Sequence, residues 1–107
     1  MSALFWNKEF ALGQVDHDQE LLDELIAIFQ DSSASDMALL LRAVETDDPI
    51  AARGASHSLK GAAASLGLEA IRDVAMLIEQ DCRDGSLAIA REKLPQLQSL
   101  MTQLREL

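Results

Sequence analysis

Apolar residues recur in steps of three and four along most of the chain, in blocks separated by short polar or Gly/Pro-containing stretches. That spacing predicts amphipathic helices packed on one another. In the first long block, Asp16 or Asp18 can cap a helix whose inner positions are Leu21, Leu22, Leu25, Ile26 and Phe29. After the polar stretch Asp31-Ser-Ser-Ala-Ser-Asp36 the pattern resumes with Met37, Leu40, Leu41 and Val44. No Gly or Pro interrupts residues 17–46, so one long helix is predicted, bent at the serines, with a break there as the alternative. His17, among acids at the start of this helix, reads as a solvated side chain.

The next block opens with Asp48-Pro49 and closes at Gly67. Asp is a good N-cap, Pro fits the first helical position, and Gly suits the left-handed residue that ends a helix. Ile71, Val74, Ala75, Ile78 and Cys82 then form the inner stripe of a helix that stops at Asp84-Gly85. Ser86 can cap a last helix with Leu87, Ala90, Leu94, Leu97, Met101 and Leu104 along its seam and Pro95 bending it. Ahead of all these, residues 4–12 carry Phe5, Trp6, Phe10 and Leu12 and predict a short helix with Asn7 near its start and Gly13 as its stop. This aromatic segment reads as a lid over one end of the fold, or, more sharply, as part of a docking surface. Short connections between four substantial helices predict an all-α fold: an antiparallel up-and-down four-helix bundle with a short N-terminal helix, one domain over residues 1–107.

Composition narrows the picture. Apolar residues make up 49% of the chain and aromatics 4%, an aliphatic mixture that suits helices. Nine basic against eighteen acidic residues give a net charge of −9, which argues against nucleic acid or an anionic membrane surface as the partner. The single cysteine, Cys82, cannot close an internal disulfide and sits where a small buried hydrophobe belongs. A reducing, cytoplasmic setting fits, and neither a basic leader nor an apolar run of about eighteen residues is present.

Candidate chemistry gathers on the helix from Asp48 to Gly67. At about 100° per residue, the positions opposite His57 are Ala52, Ala55, Leu59, Ala62 and Leu66, a core-facing stripe. The face of His57 itself holds Arg53, Gly54, Lys60, Gly61 and Ala64. The imidazole is therefore expected to stand uncovered beside positive charge. Glycine inside a helix costs about 1 kcal/mol relative to alanine, so Gly54 and Gly61 need a reason: close packing of another backbone, or access for a partner. Their position on the imidazole side favours access.

A metal site is disfavoured because the helical neighbours of His57 are cations and glycines rather than ligands. Ser56 and Ser58 project to either side of the ring and cannot serve as a nucleophile paired with it. No Gly-rich phosphate loop follows a strand, so ATP binding is not expected. What remains is His57 as the nucleophile. An imidazole is largely neutral near pH 7 and offers a lone pair to a phosphoryl group. Lys60, one turn on, can offset phosphoryl charge, and Arg53, one turn before, can add to this.

The run His57-Ser-Leu-Lys60-Gly61-Ala-Ala-Ala-Ser-Leu-Gly67, preceded by Ala51-Ala-Arg-Gly-Ala-Ser, resembles the signature of histidine-containing phosphotransfer (HPt) domains. The similarity extends through Asp18-Gln-Glu-Leu-Leu-Asp-Glu-Leu, the Asp-Asp-Pro turn and the Leu-Pro-Gln-Leu of the last helix. The resemblance implies a four-helix bundle that relays phosphoryl groups between receiver-domain aspartates. His57 would be phosphorylated, Lys60 would stabilise the phosphate, and Gly61 would leave the gap beside the ring. It implies as partners a sensor kinase, hybrid or otherwise, and receiver domains of response regulators, with no kinase activity, cofactor or metal in the domain; magnesium belongs to the receiver. With Met1 and no linker, the chain resembles a free-standing, monomeric phosphotransfer protein more than a domain of a hybrid kinase, with an excised domain as the alternative. The competing reading is a non-catalytic helical adaptor that binds through the same face, against which the pairing of His57 with Lys60 speaks.

Overall fold

The computed structural model describes residues 3–107; Met1, on which the expectation of a free-standing protein leans, lies outside them. Among the described residues five helices follow one another: α1 (Lys8–Gln14), α2 (Gln19–Glu45), α3 (Pro49–Ser65), α4 (Glu69–Arg83) and α5 (Ala88–Arg105). The only β pairing there is one isolated bridge between Trp6 and Leu68. The fold is all-helical, as the hydrophobic spacing predicts.

Capping explains where most helices start. The side chains of Asn7, Asp18 and Asp48 accept hydrogen bonds from the backbone N–H groups of Phe10, Leu21 and Ala51, at the starts of α1, α2 and α3. Asp18, not Asp16, is therefore the cap of α2; Asp16 and His17 lie before it in the left-handed region, with φ of 52° and 60°. Gly13 does not stop α1, which runs one residue further to Gln14. Ser86 does help to start α5, since its Oγ accepts from the Ala88 N–H at 3.1 Å. The residue directly before the helix, Leu87, has no side chain that can cap it. Asp81 of α4 completes the turn by accepting from both Ser86 Oγ (2.8 Å) and the Ile89 N–H (3.0 Å), so an acid from the preceding helix shares the capping.

The polar stretch in α2 neither breaks nor interrupts the helix. Ser32 and Ser33 turn their hydroxyls back onto the carbonyls of Phe29 (3.2 Å) and Gln30 (3.1 Å), which satisfies them inside the helix, and Ser33 is buried. A helix of this length spans about 40 Å at 1.5 Å per residue, which matches the 42 Å long axis of the molecule. Pro95 is likewise accommodated within a continuous α5, on its exposed side.

Helix α3 packs on α2 and on α4, α4 on α5, and α5 returns to α2. The buried side chains of all four meet in one core that includes Leu22, Leu40, Leu59, Ile71, Ile78 and Leu97. Leu21 and Leu41, expected inside, are exposed. On α3, Ala52, Ala55 and Leu59 are buried as expected, but Ser56 and Ala63 are buried too, while Ala62 is only half-buried. The reason is that α3 is covered from two sides, by α2 and α4, so its buried arc is wider than a single stripe. Cys82 is buried; burial and the charge of Asp81 push its thiol up from the usual range, which makes it inert packing.

The N-terminal segment straps the α3–α4 turn. Trp6 Nε1 donates to the Leu66 carbonyl (2.9 Å), and the Asn7 N–H donates to the Gly67 carbonyl (2.8 Å). Gly67 has φ of +69°, and a Cβ there would lie 2.5 Å from the Asn7 carbonyl oxygen. Both the conformation and the close approach demand glycine. The aromatic segment is thus a lid at one end, with Trp6 half-buried, while Phe5 and Phe10 remain exposed.

Candidate functional site

Helix α3 carries His57 on the side away from the core, and the side chain is 70% exposed. Arg53, Gly54, Gly61 and Ala64 share that exposed side, and Lys60 is half-buried at its edge. A Cβ added at Gly54 or Gly61 would meet nothing within 4 Å, so neither glycine makes room for packing. Beside the ring lies an open cleft of about 310 Å³ lined by Ile50, Arg53, Gly54, His57, Glu79 and Arg83.

The expectation that the ring stands beside positive charge alone needs correction. The nearest charged group is the carboxylate of Glu79 on α4, whose side chain is 3% exposed. His57 Nδ1 is 2.5 Å from Glu79 Oε2, and Lys60 Nζ donates to Glu79 Oε1 at 2.7 Å. Arg83 Nη2 approaches the same Oε1 at 3.5 Å. A buried carboxylate is tolerable only when paired, and this one has partners at both oxygens. The Lys60 hydrogen bond, helped by that of His57, holds the Glu79 carboxyl below its ordinary range against the opposing effect of burial. Glu79 is therefore ionised at neutral pH and can only accept.

That fixes the imidazole. If Glu79 Oε2 accepts, Nδ1 must donate, so in the neutral ring the hydrogen is on Nδ1 and the lone pair is on Nε2. Nδ1 is anchored to α4, and Nε2 is the nitrogen left without that anchor on a largely exposed ring. Chemically, the arrangement is a surface nucleophile whose proton is held on the inner side, with an ammonium group one helical turn away.

The helical wheel of α3 does not contain Glu79 or Arg83, since both belong to α4. A signal for Glu79 was nevertheless present. It lies one residue after Ile78, four after Ala75 and three before Cys82, within the inner arc of α4. An acid in an apolar arc requires a cation from a neighbouring helix, and Lys60 is that cation. Ser58, by contrast, turns to α2 and donates to Asp36 Oδ2 at 2.8 Å, away from the imidazole.

Among the described residues no group of three or more His, Cys, Asp or Glu side chains is placed to share a metal ion, and no helix is long and apolar enough to cross a membrane. A family model for the Hpt domain matches residues 24–107, which include α3, α4, α5 and most of α2. The chain belongs to the Hpt domain family, whose members are phosphotransfer modules of two-component signalling rather than kinases. Neither the curated proteins nor the solved structures contain a match to it.

Proposed function

We propose that this protein is a phosphorelay intermediate in which His57 Nε2 accepts a phosphoryl group from a receiver-domain aspartate, or from a hybrid sensor kinase, and passes it to the receiver domain of a response regulator. The observation that carries this reading is the contact between Nδ1 of an exposed ring and a buried, ionised carboxylate. In the forward step the Nε2 lone pair attacks phosphorus. The oxygen–phosphorus bond of the acyl phosphate breaks, and its electrons leave on the aspartate carboxylate. The ring becomes an N-phosphoimidazolium, still protonated on Nδ1, and Glu79 faces that positive charge. No proton has to enter or leave, so the reverse step is equally accessible. Lys60, one turn on, offsets phosphoryl charge, and Arg53 adds to it further along the same face.

Gly54, Gly61 and Ala64 form the approach surface, because a receiver must bring its phosphoaspartate to within bonding distance of Nε2. Half-buried Ala62 and exposed Ser65 continue that side of α3 towards α2, where Ile28 is exposed. The packing order of α2, α3, α4 and α5, closed by the contact of α5 with α2, supports an antiparallel up-and-down four-helix bundle with α1 as a short addition. We read the protein as one domain, a monomer working in the cytoplasm with protein partners; its net charge of −9 speaks against nucleic acid.

The test is direct. Mixed with a phosphorylated receiver domain, the protein is expected to acquire label that is acid-labile and base-stable, and His57→Gln to acquire none. Persistent labelling of His57→Gln contradicts the assignment. Partner binding and signalling that survive His57→Ala would instead favour an adaptor.

A further inference from the structure

The two oxygens of Glu79 are engaged differently. Oε2 contacts His57, whereas Oε1 is approached by two cations, Lys60 Nζ at 2.7 Å and Arg83 Nη2 at 3.5 Å. Arg83 lies one turn after Glu79 on α4, and its side chain is 53% exposed, so the guanidinium has room to move. The carboxylate is enclosed by the protein and cannot turn to water. A phosphoryl group on His57 would bring close to two negative charges within reach of Lys60 and compete with Glu79 for it. If Lys60 left with nothing in its place, Oε1 would lose its hydrogen-bonded cation and the buried carboxylate would keep only the ring on Oε2, an unfavourable state.

We propose that Arg83 is a positioning residue that releases Lys60 to the phosphoryl group: as Lys60 Nζ leaves Glu79 Oε1, the Arg83 guanidinium closes the remaining distance and takes its place. The inference rests on the reading of His57 as phosphoryl acceptor. No covalent bond changes in this exchange; one ion pair replaces another at the same oxygen. The planar guanidinium suits the task because it can bridge a carboxylate while remaining half in solvent. Oε1 then keeps a cation in both states of the site, and the hold of Oε2 on the Nδ1 proton is undisturbed.

Phosphoramidate tests this without any receiver, since it donates its phosphoryl group to an exposed imidazole and releases ammonia. The half-life of the phosphohistidine, followed by phosphorus NMR at neutral pH, is compared for the wild type, Arg83→Gln, Arg83→Lys, Lys60→Ala and the Lys60→Ala/Arg83→Gln double variant. Arg83→Gln is expected to shorten the half-life by about three- to tenfold, the lower part of the range of coupling between residues in one ion-pair network. Arg83→Lys restores most of it. In the Lys60→Ala background, Arg83→Gln has no further effect. Unphosphorylated Arg83→Gln melts with the wild type, because Lys60 still holds Oε1.

An unchanged half-life in Arg83→Gln overturns the inference. So does equal shortening in the Lys60→Ala background, which would mean that Arg83 acts without Lys60. A lowered melting temperature of the unphosphorylated variant assigns Arg83 to the fold instead. A protein that phosphoramidate loads but that exchanges with no receiver contradicts the relay reading alone. One that relays normally yet is indifferent to Arg83 contradicts this inference alone.

Discussion

Glu79 holds Nδ1 of His57 and leaves Nε2 free of that anchor on the exposed ring. Replacing it by glutamine keeps the shape but substitutes an amide that can donate as well as accept, so the ring is no longer held in one tautomer. Glu79→Gln is expected to give a mixture of Nδ1–H and Nε2–H forms by nitrogen-15 NMR and to slow transfer by about tenfold or more, as loss of an orienting partner usually does. A single unchanged tautomer with a wild-type rate would remove Glu79 from the mechanism. The same carboxylate makes a prediction about pH. Its native pKa lies below its ordinary value of 4.5, so the unfolded chain binds its proton more readily than the folded one. The stabilisation from Glu79 is therefore complete above about pH 4.5 and is lost as pH falls through the lower native value. Urea unfolding between pH 6 and 3 should show this acid limb, and Glu79→Gln should flatten it; an identical limb in both proteins would assign acid lability to other carboxylates.

Helix α3 and the turn that follows it hold two kinds of glycine. At Gly61 an added Cβ meets nothing within 4 Å, so Gly61→Ala should stabilise the fold by up to about 1 kcal/mol. A bulky residue at the same place, Gly61→Leu, should leave melting near or above the wild type yet block transfer. Equal loss of folding and transfer would mean that the glycine serves packing. At Gly67, Gly67→Ala should cost about 2 kcal/mol or more, since it combines a left-handed residue with a collision against the Asn7 carbonyl. Thermal melts of the two alanine variants shifting in opposite directions are the expected result. Both glycines are visible in the sequence, and the helical wheel places Gly61 correctly beside His57. What the wheel cannot contain is a neighbour from another helix. His57, Lys60 and the cap at Asp48 were legible because all lie on one element, whereas Glu79 and Arg83 enter the site only when α4 packs on α3.

At the scale of the molecule, the repeating three-and-four pattern was enough to foresee an all-helical fold and the order of its long helices. It was less informative where burial is decided by two neighbours at once. Ser56 and Ala63 are covered because α3 lies between α2 and α4, and Leu21 is exposed although it falls on a helical period. The turn into α5 is legible only in part, because Ser86 accepts from the Ala88 N–H while the second acceptor, Asp81, comes from the preceding helix. The N-terminal strap belongs to this scale as well, since Trp6 joins the start of the described chain to the α3–α4 turn. Trp6→Phe removes the bond to the Leu66 carbonyl and should cost about 1 kcal/mol, with no effect on transfer because the strap lies at the end of α3 beyond Gly61. Reduced transfer at unchanged stability would instead make the aromatic segment part of the docking surface.

The expectations about transfer turn on one atom, Nε2 of His57, accepting the phosphoryl group while Nδ1 keeps its proton against Glu79. Phosphorus–nitrogen coupling in nitrogen-15-labelled protein, loaded by a phosphorylated receiver domain, reads that atom directly. The predicted result is coupling of phosphorus to Nε2 of His57 with Nδ1 still protonated. Coupling to Nδ1, or phosphorus on any other residue, would contradict it.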